Sequence, residues 1–270
     1  MNNIESFKRF IWDFYHHNKR EFAWRKTTNP YHIVVSEIML QQTQTYRVET
    51  KYEEFIAEFD CFHTLAQASL RDVLNVWQGL GYYRRARFLH QLANIVVYEH
   101  KAFLPADPKI LETFPGIGKA TASSICAFAF NQPTVFIETN IRAVFIHSFF
   151  KDKNDVTDKE LFPFIAATVD ADNPREWYYA LMDYGVWLKA KTINPSKKSK
   201  HYTTQSKFEG SDRQLRAKIL KYITQQGYVT HSEVLSFIQF DPRVDKIIND
   251  LIREGFIQKN SHNIYCILQE

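Results

Sequence analysis

The stretch Phe114-Pro115-Gly116-Ile117-Gly118-Lys119-Ala120-Thr121-Ala122 decides how this chain is read. Gly116 and Gly118 admit backbone conformations closed to other residues, so the amides of a Pro-Gly-Ile-Gly turn can face outward at the start of the next helix, where a phosphate fits. Upstream, Asp107-Pro108 has the pattern of an N-cap followed by a first-turn proline, opening a short helix through Ile110, Leu111 and Phe114. The predicted unit is helix, hairpin, helix, with the carboxylate of Glu138 just beyond. The same residues would also make an ordinary helix–helix turn closed by a glycine. The rest of the chain separates the two readings.

With 270 residues, 45% of them hydrophobic, the chain can bury a sizeable core and is long enough for one large or two smaller domains. No apolar run approaches a membrane span, and Met1 to Ser6 lacks the charged and apolar regions of a secretory signal. The expected compartment is the cytosol or nucleoid, without a membrane partner. Cys61, Cys126 and Cys266 lie far apart, with none of the spacings of a zinc or iron–sulfur site, and an odd count argues against a disulfide framework. They read as buried thiols, with no metal. A net charge of +4 and a pI near 8.8 suit a polyanionic partner without requiring one. Arg84, Arg85 and Arg87 form one basic cluster and Lys197, Lys198, Lys200 and His201 another; for either alone, a solvated helix face or linker is the simpler reading.

From Ile4 to about Leu188 apolar residues recur at three- and four-residue spacings, with no run of strand-like alternation, so this part is predicted all-α. Helices are expected over 6–15, 31–44, 51–59, 70–79, 83–100, 119–130, 141–149, 158–169 and 174–188. Between 189 and 210 the periodicity fades into a polar, basic stretch that reads as a linker. Ser211-Asp212-Arg213-Gln214 then starts a helix to about Gln225, and Thr230 with Glu233 has capping-box spacing for another. Asp241-Pro242 opens a third, whose Val244, Ile247, Ile248, Leu251 and Ile252 share one face before Gly255 ends it. Residues 256–259 and 263–268 read as two short strands. Three helices and a hairpin suggest a small winged-helix-like domain over 211–270, a module that binds DNA, a protein or nothing.

Ala23-Trp24-Arg25, Ser36 to Gln44, Val76 to Arg87, Phe114 to Gly118 and Met182-Asp183-Tyr184-Gly185, in this order, resemble the helix-hairpin-helix (HhH-GPD) superfamily of DNA base-excision glycosylases, most closely its MutY adenine glycosylase branch. The match covers roughly Phe22 to Gly185. It implies a mainly α fold with a two-subdomain core over 1–188, a six-helix subdomain at about 28–136 and a second from 1–27 plus 137–188, ahead of the C-terminal module. It also implies a monomer on double-stranded DNA that flips a mispaired or damaged base, adenine foremost, and hydrolyses its N-glycosidic bond in base excision repair. Cleavage leaves positive charge on the sugar and requires a proton on the departing base, so one acid and one anionic stabiliser are wanted. By resemblance Glu37 is the acid, and its neighbours Val34, Val35, Ile38 and Leu40 give an apolar setting that raises a carboxyl pKa. From the residues alone, an exposed glutamate on an amphipathic helix is the alternative. Gln41, Gln42 and Tyr82 match the positions that wedge into the duplex, Tyr82 having a flat ring beside glycines that suits stacking on bases, with a core aromatic as the alternative. Trp24 and Arg25 match residues beside the base pocket, where Asn140 can help position a water. Gly116, Ile117, Gly118 and Lys119 would hold the phosphate backbone, with room at the hairpin for a structural monovalent cation.

Three positions depart from the family pattern. The aspartate expected before the helix that follows the motif is Glu138, whose extra methylene extends the carboxylate by about 1.5 Å. A shift of about 1 Å can cost on the order of a hundredfold in rate, so the same fold acting on an alkylated, deaminated or crosslinked base, or binding distorted DNA without cleavage, stays open. Where bifunctional relatives carry a nucleophilic lysine this chain has Ala120, with Lys119 turned about 100° away around the helix, which predicts a monofunctional enzyme. No cysteine follows Gly185 until Cys266, so no iron–sulfur cluster and no other cofactor is expected. Lys189, Lys191, Lys197, Lys198 and Lys200 are expected to supply a basic DNA contact there instead. The C-terminal domain through which MutY relatives read 8-oxoguanine is replaced by the 211–270 module.

Overall fold

Asp107 accepts a hydrogen bond from the Lys109 amide at 2.8 Å with Pro108 in the first turn, so the helix before the hairpin begins where its cap dictates. The computed structural model describes residues 2–268. In chain order it runs α1 Asn2–Asn18, α2 Pro30–Leu40, α3 Thr45–Glu58, α4 Phe62–Gln67, α5 Leu70–Val76, α6 Arg84–Glu99, α7 Pro108–Leu111, α8 Lys119–Phe130, α9 Thr139–Phe149, α10 Asp158–Thr168 and α11 Pro174–Lys191. It continues α12 Asp212–Gln226, β1 Tyr228–Thr230, α13 His231–Phe237, α14 Val244–Arg253, β2 Ile257–Lys259 and β3 Ile264–Ile267. The chain divides into two units: residues up to Glu37 with 105–113 and 117–204, and residues 38–104 with 114–116 and those from Gln205 onward.

The first unit is built on aromatic packing of α1, α9 and α11. Phe7, Ile11, Phe145, Ile146, Trp177 and Tyr178 share one core, which Ala127 and Phe128 of α8 and Phe136 also enter. That shared core is why α8 groups with the chain's N-terminal helix and not with 38–104, a boundary different from the expected six-helix subdomain over 28–136. Two residues of the Met182-Asp183-Tyr184-Gly185 segment set the inner geometry. A Cβ on Gly185 would stand 2.6 Å from the Asn140 carbonyl oxygen and 2.7 Å from its Cβ, so only glycine lets α11 lie this close to the start of α9. Asp183 is fully buried and accepts from the Arg20 amide and Nε at 2.9 and 2.7 Å and from both terminal nitrogens of Arg25 at 2.9 and 2.8 Å. This fork-on-carboxylate pairing satisfies a charge that would otherwise be costly to bury.

The basic stretch expected as a linker over 189–210 is folded in its first half. Asn194 caps a 3-10 turn, Pro195–Lys198, with Pro195 and Ser196 buried, and Ser196 Oγ donates to the Thr139 carbonyl at 3.2 Å. The Lys200 amide donates to the Val156 carbonyl at 3.0 Å, and Val156 to Lys198 at the same distance. An Asn-Pro helix start sits inside the lysine-rich composition, and it docks on α9.

In the second unit α12, α13 and α14 surround a three-stranded antiparallel sheet in the order β1-β3-β2, pairing Tyr228 with Cys266 and Ile257 with Ile267. Ser211 caps α12, and Thr230 and Glu233 form the expected capping box. These elements pack on α5 and α6. Arg71 Nε donates to the Thr224 carbonyl at 2.9 Å, Arg87 Nη1 to the Glu254 carbonyl at 2.6 Å, and Glu254 binds Arg84 and Arg216 at 2.9 and 2.6 Å. Residues 211–270 therefore share a unit with 38–104.

Replacing Asp183 by alanine strands the Arg25 guanidinium, whose side chain is 5% exposed, among buried groups. Denaturant unfolding should register a loss of about 3–5 kcal/mol, with no comparable loss for the exposed Glu21 to alanine.

Candidate active site

Ile33, Val34, Val35, Ile38 and Met39 of α2 are all buried, so beside Ser36, also buried, one charged side chain in its middle is carried inside with them. That side chain is Glu37, half-buried. Its Oε2 accepts a hydrogen bond from Ser124 Oγ of α8, and Ser124 Oγ also lies 3.0 Å from the Thr121 carbonyl. Burial pushes the Glu37 carboxyl up to about 7; the negative charge of Glu138 adds to the shift and the Ser124 hydrogen bond opposes it. Tyr179, whose hydroxyl is pushed upward by burial and by Glu37, lines the same region, and the Arg25 guanidinium lies 4.4 Å from its ring centroid. Trp24 is 4% exposed and stacked on Phe22 at 4.9 Å. Of the expected base-pocket residues, Trp24 packs on Phe22 and Arg25 is fixed by Asp183.

Glu138 is the N-cap of α9. Its Oε1 accepts from the Asn140 and Ile141 amides at 2.7 and 2.8 Å, and its Oε2 from Asn140 Nδ2 at 3.1 Å. Glutamate rarely caps its own helix; here the additional methylene is absorbed in curling the carboxylate back over the first turn. The anion then sits where the helix N-terminus favours negative charge. Asn140 Oδ1 is buried and has no hydrogen-bond partner among the described residues. Lys189 is half-buried, and burial depresses its ammonium pKa against the charge of Glu138, which acts to raise it.

The expected DNA-facing loops belong to the second unit. Gln42 and Tyr82 have positive φ of 54° and 47°, and Gln41 Nε2 donates to the Gly116 carbonyl at 3.2 Å. Arg85, 7% exposed, organises both loops. Its Nη1 donates to the carbonyls of Ile38, Met39 and Gln41 at 2.9, 2.7 and 2.6 Å, and its Nη2 to Thr43 Oγ1, Leu80 and Gly81 at 3.0, 3.3 and 3.2 Å. Burial lowers its pKa to about 10. Within the basic cluster Arg85 and Arg87 are bound to backbone carbonyls, while Arg84 is exposed and pairs with Glu254. In the hairpin, Gly116 has φ +78° and a Cβ there would meet Phe88 at 3.0 Å. Gly118 has φ −96°, which any residue adopts, and a Cβ would meet nothing within 4 Å, so the expected conformational need applies to one glycine only. Ile117 is buried, while Gly118 and Lys119 are exposed at the start of α8.

Ser124, Tyr179, Asp183 and Arg85 were not singled out for these roles by the sequence. A serine inside the apolar run Ser124 to Ala129 is the one signal that was available, since a buried hydroxyl requires a partner. Among the described residues no group of three or more His, Cys, Asp or Glu could hold a metal ion. Cysteines sufficient for a four-thiolate cluster are lacking, so the residues present do not fit one.

Residues 35–163 match the model of the HhH-GPD superfamily base excision DNA repair protein. The adenine DNA glycosylase of Buchnera aphidicola subsp. Baizongia pistaciae is 35% identical over 191 residues, 70% of this chain and 54% of that protein, so the chain spans about half of this relative's length. The adenine DNA glycosylase of Mycobacterium tuberculosis is 27% identical over 273 residues, covering 91% of this chain and 88% of its own. Among solved structures, a thermostable thymine-DNA glycosylase superposes with a TM-score of 0.64 at 24% identity, covering 74% of this chain and 97% of that one. A trapped endonuclease III–DNA covalent intermediate superposes with a TM-score of 0.58 at 15% identity, over 69% and 86%. The same helices that bring Glu37, Ser124 and Glu138 into one unit thus carry a shared fold, and the chain belongs to the HhH-GPD superfamily of base excision DNA repair proteins.

Proposed function

We propose that this protein is a DNA N-glycosylase that binds double-stranded DNA as a monomer, takes a flipped base, adenine first, and hydrolyses its bond to the sugar. The observation that carries this reading is the pairing of Glu37, a carboxyl pushed up to about 7, with Glu138, a carboxylate fixed by three N–H donors at a helix start. One can hold a proton near neutral pH while the other faces it as an anchored acceptor. The adenine DNA glycosylase relatives support adenine as the base.

In the reaction, the Glu37 carboxyl gives its proton to a ring nitrogen of the base as the C1′–N bond breaks, and the bonding pair leaves with the base. The Glu138 carboxylate faces the positive charge left on the sugar. A water adds at C1′ and releases its proton, leaving free base and an abasic site. Asn140, whose Nδ2 is bonded to Glu138 and whose Oδ1 is buried without a donor among the described residues, is suited to hold that water. Ala120 stands where a lyase lysine would, so no Schiff base forms on the chain.

Duplexes bearing different mismatches and lesions, followed by alkali, should yield strand breaks most efficiently at a mispaired adenine. Cleavage of an alkylated or deaminated base in preference would reassign the substrate, and binding without any cleavage would sink the enzyme reading. Glu37→Gln and Glu138→Gln should each slow single-turnover cleavage by at least about a hundredfold with DNA affinity nearly unchanged. In the parent, that rate should decline above about pH 7 as Glu37 loses its proton. Since the Ser124 hydrogen bond lowers the Glu37 pKa, Ser124→Ala should move this decline to higher pH; a profile that stays put would remove Ser124 from the site. Borohydride should trap no covalent DNA adduct.

A further inference from the structure

Tyr82 stands on a loop held in the left-handed region, with φ +70° at Gly81 and +47° at Tyr82 itself. Such a backbone persists only where its surroundings fix it. From one side the fixed guanidinium of Arg85 lies 5.4 Å from the Tyr82 ring centroid. At the other end, the C-terminal segment takes the tip of the ring. Arg213 Nη1 of α12 donates to Tyr82 Oη at 2.7 Å, and Gln205 Nε2 donates to the same oxygen. Arg213 Nη2 donates to the Ser206 carbonyl at 2.6 Å, and its guanidinium lies 5.8 Å from the Tyr82 ring and 5.9 Å from that of Phe208. One planar fork therefore joins the tyrosine hydroxyl to the segment leading into α12. Arg213 has no part in the core of that helix, which is carried by Leu215, Ile219, Leu220 and Ile223.

We propose that Arg213 is a positioning residue for Tyr82, and that through it the segment from Gln205 to Arg213 takes part in distinguishing damaged from undamaged DNA. The inference rests on the reading of Tyr82 as the side chain that enters the duplex. A ring ordered before DNA arrives does not lose its rotamer freedom on binding, so the pinned hydroxyl favours the complex in which the ring is used. Undamaged duplex, which offers no gap for the ring, gains nothing from this ordering. The requirement is for a fork: a lysine ammonium at 213 keeps the charge but cannot present two fixed donors in the geometry that Ser206 and Tyr82 need.

The test is fluorescence anisotropy with the full chain on two duplexes, one carrying a stable abasic-site analogue and one intact, so that no base need be identified and no turnover occurs. Arg213→Ala should lower the preference for the abasic duplex by about threefold to tenfold, the range for one hydrogen bond. Tyr82→Phe, which also frees Gln205, should lower it at least as much, and the double variant should lose no more than Tyr82→Phe alone, because Arg213 acts through the hydroxyl that phenylalanine lacks. Arg213→Lys should behave as Arg213→Ala. Equal weakening on both duplexes would make Arg213 a phosphate contact only, and multiplicative losses in the double variant would show that it does not act through Tyr82; either overturns the proposal. A parent protein with no preference for the abasic duplex would instead refute the wedge reading of Tyr82, and the proposal with it.

Discussion

A helix built mostly of apolar side chains has to be enclosed by protein, and α2 obeys that requirement with a carboxylate in its middle. Burying Glu37 is unfavourable for its charged form, and the chain answers by letting the proton stay. Ser124, itself buried, gives the carboxyl a defined partner, and with one hydroxyl proton it can either donate to an ionised Glu37 or donate to Thr121 while accepting from a protonated one. The end of the helix is governed by the same enclosure. Its last carbonyls have no water to turn to, and Arg85 supplies the donors, fixing in the same gesture the loops that carry Gln41, Gln42 and Tyr82.

A second constraint works through α11. Asp183 faces the arginines and Gly185 faces Asn140, two residues apart on one helix, so a single segment sets both Arg25 beside Tyr179 and the close approach to the start of α9 where Glu138 and Asn140 stand. The replacement of an expected aspartate by Glu138 is accommodated locally, because the longer side chain caps its own helix and returns the carboxylate toward the backbone. Change at that position is a matter of side-chain path, with charge and anchoring retained.

The sequence exposed those features whose causes are local. Asp107-Pro108, the bounds of α8, the Thr230–Glu233 box and the apolar setting of Glu37 each depend on neighbours within a turn or two. Features that depend on distant partners were hidden. Arg85 looks like any basic surface residue until the carbonyls of Ile38 and Met39 are brought beside it, and Asp183 looks like any helical aspartate until Arg20 and Arg25 close on it. β1, three residues long, carries too little alternation to be read, and α4 is a six-residue helix in a stretch without strong periodicity. Gly118 misled in the opposite direction: its φ is ordinary, and what it offers is the absence of a side chain at the start of α8.

The division of the chain also carries a consequence for how the molecule is made. The first unit has all its residues once Thr204 has been synthesised, whereas the second is assembled from 38–104, 114–116 and the segment from Gln205 onward. Synthesis from the N-terminus therefore lets the unit holding Glu37 and Glu138 condense while α5 still awaits α12, and α6 awaits Glu254. The loop of Tyr82 is then among the last parts to reach its final form, since Arg213 must arrive before its hydroxyl is held. Chain order thus places the two carboxylates early in folding and the hydroxyl contact of Tyr82 late.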